Sequence, residues 1–163
     1  MVEKDVEQNV KNLILAFNNP NIEITNEFLT DGIIRYGGRP IALLEFKLKR
    51  NLTNENTMAQ ILTQTMCYYY KISKKENIDT SKPFYLIIGD DNEVLVINIH
   101  QYPITWMMNP TWGTVAPSKA CKEPGLLLCA SSMLKLVPPI YYKYENLNEL
   151  SFGFHILFSG LLN

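Results

Sequence analysis

The chain has 163 residues, 47% hydrophobic and 19% charged, the balance expected of one globular domain with a buried core over 1–163. A formal net charge of -1 excludes a global basic field, so contact with a polyanion has to use local clusters. Three cysteines without a close pair (Cys67, Cys121, Cys129) exclude a disulfide framework and argue against a zinc site, and no apolar run approaches the roughly 20 residues of a membrane span, so reduced thiols, an intracellular (cytoplasmic) location and no membrane partner are expected.

Val6, Val10, Leu13, Ile14 and Phe17 recur at helical spacing, with Glu3, Asp5 and Glu7 toward the end where the helix dipole favours acids, and Pro20 closes this helix. Ile22 and Ile24 alternate with polar neighbours and predict a short strand. A second strand follows from about Asp31 to Tyr36, Gly37-Gly38 supplies a turn, and Pro40 to Leu48 is apolar on both faces, as in the middle of a covered sheet. From about Thr53 to Ser73 the period is helical, with Met58, Ile61, Leu62, Thr65, Met66, Tyr69 and Ile72 on one broad face. Phe84–Ile88 and Val94–Ile99 flank Gly89-Asp90-Asp91-Asn92 and read as a hairpin, so the order is αβββαββ. Beyond His100, prolines and glycines predict irregular structure, with a short helix or strand at Leu126–Leu136 and a final helix from about Asn148 to Leu162.

Glu45 and Lys47 are two apart on the third strand, so both leave the same face while Phe46 points the other way. They could simply pair with each other. If the hairpin loop is Gly37, Gly38 and Arg39, however, Asp31 falls directly across from Glu45, with Cβ atoms about 5 Å apart. Two carboxylates at that distance repel unless one is protonated or a cation lies between them. A hard divalent ion with oxygen ligands meets that need. A two- or four-residue loop would instead set Asp31 against Leu44 or Phe46.

Asp31-Gly32, followed on the next strand by Glu45-Phe46-Lys47, resembles the PD-(D/E)xK nuclease superfamily, and Gln64-Thr-Met-Cys-Tyr68 resembles the QxxxY motif of its RecB-like and type I restriction branches. The resemblance covers roughly residues 1–100 and implies a restriction-endonuclease-like αβββαβ core, a central mixed sheet flanked by helices, with 101–163 as an extension. It implies a Mg²⁺-dependent deoxyribonuclease of a restriction or DNA-processing system, with DNA as partner and further motor or methyltransferase domains or subunits. Asp31, Glu45 and the Phe46 carbonyl would hold Mg²⁺ or Mn²⁺, which activates a water for attack on a phosphodiester, and Lys47 would orient that water and offset developing charge. Gln64 and Tyr68 would fix the water, the lysine or the DNA backbone. Gln60 fits the glutamine position nearly as well, although Thr57-x-x-Gln60 is also a capping-box pattern. Glu7 would be an additional metal-binding acid, with Glu3 as its rival.

Lys47, Lys49 and Arg50 form one basic cluster; Lys71, Lys74 and Lys75 form another that reads more simply as a solvated face. His100 and His155 lack metal-ligand spacing and read as structural. Trp106, Trp112 and Tyr141-Tyr142-x-Tyr144 could stack on unpaired bases, but a core role is the simpler reading. Two rival functions stand beside nuclease: a catalytically silent nuclease-like fold that binds nucleic acid or protein, and a merely structural ion-pair network of Asp31, Glu45 and Lys47.

Overall fold

Six strands in the order β1-β2-β3-β4-β5-β6 frame the computed structural model, which describes residues 3–15, 20–28, 30–47, 51–90 and 93–143. They are β1 (Ile22–Thr25), β2 (Gly32–Tyr36), β3 (Arg39–Phe46), β4 (Tyr85–Gly89), β5 (Glu93–Asn98) and β6 (Ile140–Lys143). Every neighbouring pair is antiparallel except β3 and β4, which are parallel. A parallel pair needs a crossover, and helix α2 (Glu55–Lys75) supplies it.

Side-chain alternation divides the sheet between two apolar layers. On one face helix α1 (Glu3–Leu15) buries Val6, Val10 and Ile14 with Ala42, Leu44, Phe46, Ile87 and Val94. On the other face α2 packs with Ile33, Leu43, Leu86, Ile88 and Leu95. The structure is therefore α/β, with a six-stranded mixed sheet flanked by helices. No helix among the described residues is long and apolar enough to cross a membrane.

Asn54 caps α2 by accepting a bond from the Thr57 N–H at 3.1 Å, and Lys74 and Lys75 occupy the last turn, where cations complement the helix dipole. The cap corrects the capping-box reading of Thr57 and Gln60, because the helix starts a turn earlier. All seven residues of the expected apolar face are buried, and so are Ala59, Thr63, Cys67 and Tyr68. A second layer explains the excess: after the short helix α3 (Ile104–Met107), helices α4 (Pro117–Ala120) and α5 (Pro124–Leu136) bring Ala120, Leu126, Ala130 and Met133 into the same core as α2. Trp112 is buried there too, its Nε1 donating to the Trp106 carbonyl at 2.7 Å.

The described part of 101–163 thus shares its core with 1–100, and β6 extends the sheet beyond β5. Between helix and strand at Leu126–Leu136, helix is found, whereas β6 was not anticipated. The expected helix at Asn148–Leu162 lies outside the described residues.

The β2–β3 hairpin corrects the expected loop. Tyr36 pairs with Arg39, so the loop is the two residues Gly37 and Gly38, whose φ values of +57° and +83° suit a type I′ turn. By itself that turn would set Asp31 opposite Leu44. A β-bulge intervenes: Arg35 pairs with Pro40 but Ile34 pairs with Ala42, so Ile41 has no opposite residue and the register shifts by one. Gly32 then pairs with Leu44, the last pair of the ladder, and the same register carried one step further brings Asp31 to Glu45.

Candidate active site

The Phe46 N–H donates to Asp31 Oδ2 at 2.7 Å, so a carboxylate continues the β2–β3 ladder where the backbone of β2 ends. That bond also fixes which way β3 faces. Phe46 turns its N–H toward β2 while Lys47 turns its own to the Gly89 carbonyl of β4, at 2.8 Å. Asp31 and Glu45 therefore occupy a non-hydrogen-bonded pair position, where Cα atoms are about 4.5 Å apart and side chains are closest. A strand residue points its N–H and C=O toward the same neighbour, so the Phe46 carbonyl faces the Asp31 side as well.

Glu45 shares the α2 face with Leu43 and is only 6% exposed. Lys47, on that face too, brings Nζ to within 2.9 Å of Glu45 Oε1. The ammonium compensates one of the two acids.

On α2, Tyr68 reports the arrangement. Burial, first, and the negative charge of Glu45 raise its phenol above the ordinary tyrosine range, with a smaller push from Asp31. A side-chain hydrogen bond with Gln64 and the positive charge of Lys47 act in the opposite direction. One buried phenol thus feels Asp31, Glu45, Lys47 and Gln64, which joins the two sequence motifs at one place. Gln60 is exposed, one turn nearer the start of α2.

Glu7 is not brought to this cluster. It stands on α1, which covers the opposite face of the sheet, and pairs with Lys11. Among the described residues no three acids, histidines or cysteines gather at one point, so Asp31 and Glu45 are two carboxylates without a third. The side chain of Glu3 lies outside the described residues, as do Lys49, Arg50, Tyr144 and His155. The other basic cluster is spread along the end of α2, with Lys74 over the Tyr70 ring and Lys75 over that of Phe28.

His100 has a structural setting. Its Nε2 lies 2.6 Å from the hydroxyl of buried Tyr69, and its Nδ1 contacts the Lys82 carbonyl. The three cysteines are free thiols, and burial pushes Cys67 up to about 11, which leaves it protonated and unreactive near neutrality. Two polar groups, one beside the site and one at the far end of α2, escaped the sequence reading. Asp90 is buried and closes the β4–β5 hairpin by accepting from the Glu93 N–H at 2.9 Å; the Asp-Asp-Asn turn signal was there to find it. Asn56 lines a cavity at the start of α2, and only the four-residue spacing to Gln60 hinted at it.

An ion held by Asp31, Glu45 and the Phe46 carbonyl would meet only oxygen donors, which suits a hard divalent ion rather than zinc or copper. The Phe46 N–H occupies one lone pair of Asp31, and a carboxylate offers about four such positions, so acceptor capacity remains. Compared with known proteins, the chain matches no family model, no curated protein and no solved structure.

Proposed function

We propose that the chain is a metal-dependent nuclease of the PD-(D/E)xK type that hydrolyses DNA phosphodiester bonds, as in restriction or DNA processing. The observation that carries this reading is the bulge-corrected register, which opposes Asp31 to Glu45 with Lys47 on the same face. The αβββαβ order, with α1 and α2 on opposite sides of the sheet, agrees with it. So does the Gln64–Tyr68 pair beside the acids.

Asp31, Glu45 and the Phe46 carbonyl are the groups that would hold Mg²⁺ or Mn²⁺. Bound there, the ion supplies Lewis-acid polarisation of a phosphoryl oxygen and lowers the pKa of a water. The protein's own contributions are separate. The Phe46 N–H orients Asp31. Lys47, held by Glu45 at 2.9 Å, positions an ammonium to steady negative charge developing on phosphoryl oxygens. Tyr68, hydrogen-bonded with Gln64, sets a polar group in the field of Glu45 and Lys47.

Cleavage of plasmid and of single-stranded circular DNA, each with Mg²⁺, with Mn²⁺ and with EDTA, tests the reading, and cutting of either substrate supports it. Native protein should cut with either metal and not with EDTA, and Lys47→Ala should lower the rate by about 10²–10³, the usual effect of removing one preorganised charge-stabilising donor. Undiminished cutting by Lys47→Ala would overturn the site. The Glu45–Lys47 pair is the one observation that favours the structural-network alternative, which predicts neither cleavage nor stabilisation by metal. Salt-sensitive DNA binding without cleavage would instead mark a silent binding module.

A further inference from the structure

The amide stripe on α2 is longer than the motif that drew attention to it. Asn56, Gln60, Gln64 and Tyr68 repeat every four residues, so each neighbours the next in a row that winds by about 40° a step around the helix, from exposed Asn56 and Gln60 to buried Tyr68. At a rise of about 1.5 Å per residue the row is about 18 Å long. One end is the Tyr68 beside Asp31 and Glu45. The other end, Asn56, lines a cavity of about 280 Å³ between the first turn of α2, the last turns of α5 and β6.

The lining of that cavity is mixed in a particular way. Met58 and Leu134 give it an apolar floor, Asn56 and Glu55 offer amide and carboxylate groups, and Lys135 contributes a cation. Tyr141 forms a wall. It is 42% exposed, and its hydroxyl lies 3.4 Å from the Leu52 carbonyl. A volume slightly below the roughly 300–1,000 Å³ of sites for drug-sized ligands suits one small planar unit. A ring face for stacking, an amide and a carboxylate for a polar edge and an ammonium for a phosphate together match one nucleotide.

Resting on the nuclease reading for its direction, we propose that single-stranded nucleic acid is the substrate class. An unpaired base is seated in the cavity against Tyr141, and the strand runs along the amide row to Asp31 and Glu45. At about 3.4 Å per stacked nucleotide the row spans about five nucleotides, which sets the distance from the seated base to the phosphate at the acids. Duplex DNA keeps its bases stacked and paired and gains nothing from Tyr141.

The test is fluorescence anisotropy in EDTA with the full chain, using a labelled mixed-sequence 12-mer single strand and the blunt duplex of the same sequence. The chains compared are native, Tyr141→Ala, Tyr141→Phe and Asn56→Ala. Single-strand binding should weaken by about tenfold or more in Tyr141→Ala, the scale of losing one base–aromatic stack, and should stay within about twofold in Tyr141→Phe, with duplex binding unchanged in both. Asn56→Ala should weaken single-strand binding without altering duplex binding. The proposal is overturned if native protein does not bind the single strand, if Tyr141→Ala binds it as native does, or if single strand and duplex weaken alike. Matching thermal midpoints of Tyr141→Ala and Tyr141→Phe exclude misfolding as the cause of a difference. Cleavage, measured separately with Lys47→Ala, keeps the two readings apart. A chain that binds single strands through Tyr141 and never cuts sinks the nuclease, and one that cuts while indifferent to Tyr141 sinks the base pocket.

Discussion

Glu45 is nearly enclosed, with the Lys47 ammonium 2.9 Å from its Oε1 and the Tyr68 phenol of the facing helix within reach of its charge. Tyr68 hydrogen-bonds with Gln64 and lies in the field of both acids, so removing only its oxygen separates packing from polar positioning. Tyr68→Phe should cost about 1 kcal/mol of stability, as for one ordinary hydrogen bond, while lowering kcat more than it changes KM. Urea unfolding and steady-state cleavage read the two effects. An unchanged kcat would remove Tyr68 from the proposed chemistry. His100 illustrates a different residue-scale effect. Burial holds its pKa below the ordinary histidine value of 6.5, against smaller opposing influences from the Lys82 carbonyl and Asp79. On acidification the unfolded chain therefore takes up this proton first, and the stability contributed by neutral His100 is complete above about pH 6.5 and is lost as pH falls through the lower folded value. Unfolding midpoints at pH 7.5 and pH 5 should fall further for native protein than for His100→Gln. Equal falls would mean that the Tyr69–His100 bond tolerates a charged ring.

Between elements, Arg35 ties the hairpin to α2. From β2 its guanidinium donates to both carboxylate oxygens of Glu76, at 2.7 and 2.9 Å, to Glu27 at 2.9 Å and to the Gly38 carbonyl at 2.9 Å. Glu76 is the C-cap of α2, so one side chain joins the turn, the β1–β2 connection and the end of the helix. Arg35→Met should destabilise by about 2–3 kcal/mol in urea unfolding, less than the roughly 3–5 of a fully buried pair, because Glu27 and Glu76 keep 39% and 31% of their side-chain surface exposed. A change under about 0.5 kcal/mol would show that packing alone docks α2. The same hairpin shows what sequence could and could not convey. Alternating apolar residues and Gly37-Gly38 announced the strands and the turn, but not whether the loop had two residues or three. The bulge at Ile41 has a sequence correlate after all: Pro40 lacks an N–H, and proline within a sheet is confined to edges and bulges. The expected pairing of Asp31 with Glu45 agrees with the structure because a shorter loop and a bulge offset each other.

Over the whole molecule, the central strands and α2 were legible because their apolar periods are long and unbroken, whereas the second layer was not. Burial of Thr63 and Cys67 depends on α4 and α5, whose short, proline-started segments carry little periodicity. Strand β6 is four residues between Pro139 and the end of the described chain, too short for alternation to register, and its tyrosines looked like a loose aromatic run. Glu7 was assigned by position on the first helix, and sequence alone could not say that α1 covers the face away from Asp31 and Glu45. What the full fold assembles is one sheet end where β2 begins and β3 and β4 finish, covered by α2 and closed by the Phe46–Asp31 and Lys47–Gly89 bonds. Isothermal titration of Mn²⁺ into native, Asp31→Asn and Glu45→Gln chains measures most directly whether those two carboxylates share a cation. A shared ion predicts one equivalent bound by native protein and loss of that heat in each variant; equal binding by all three chains, or none by the native chain, would contradict it.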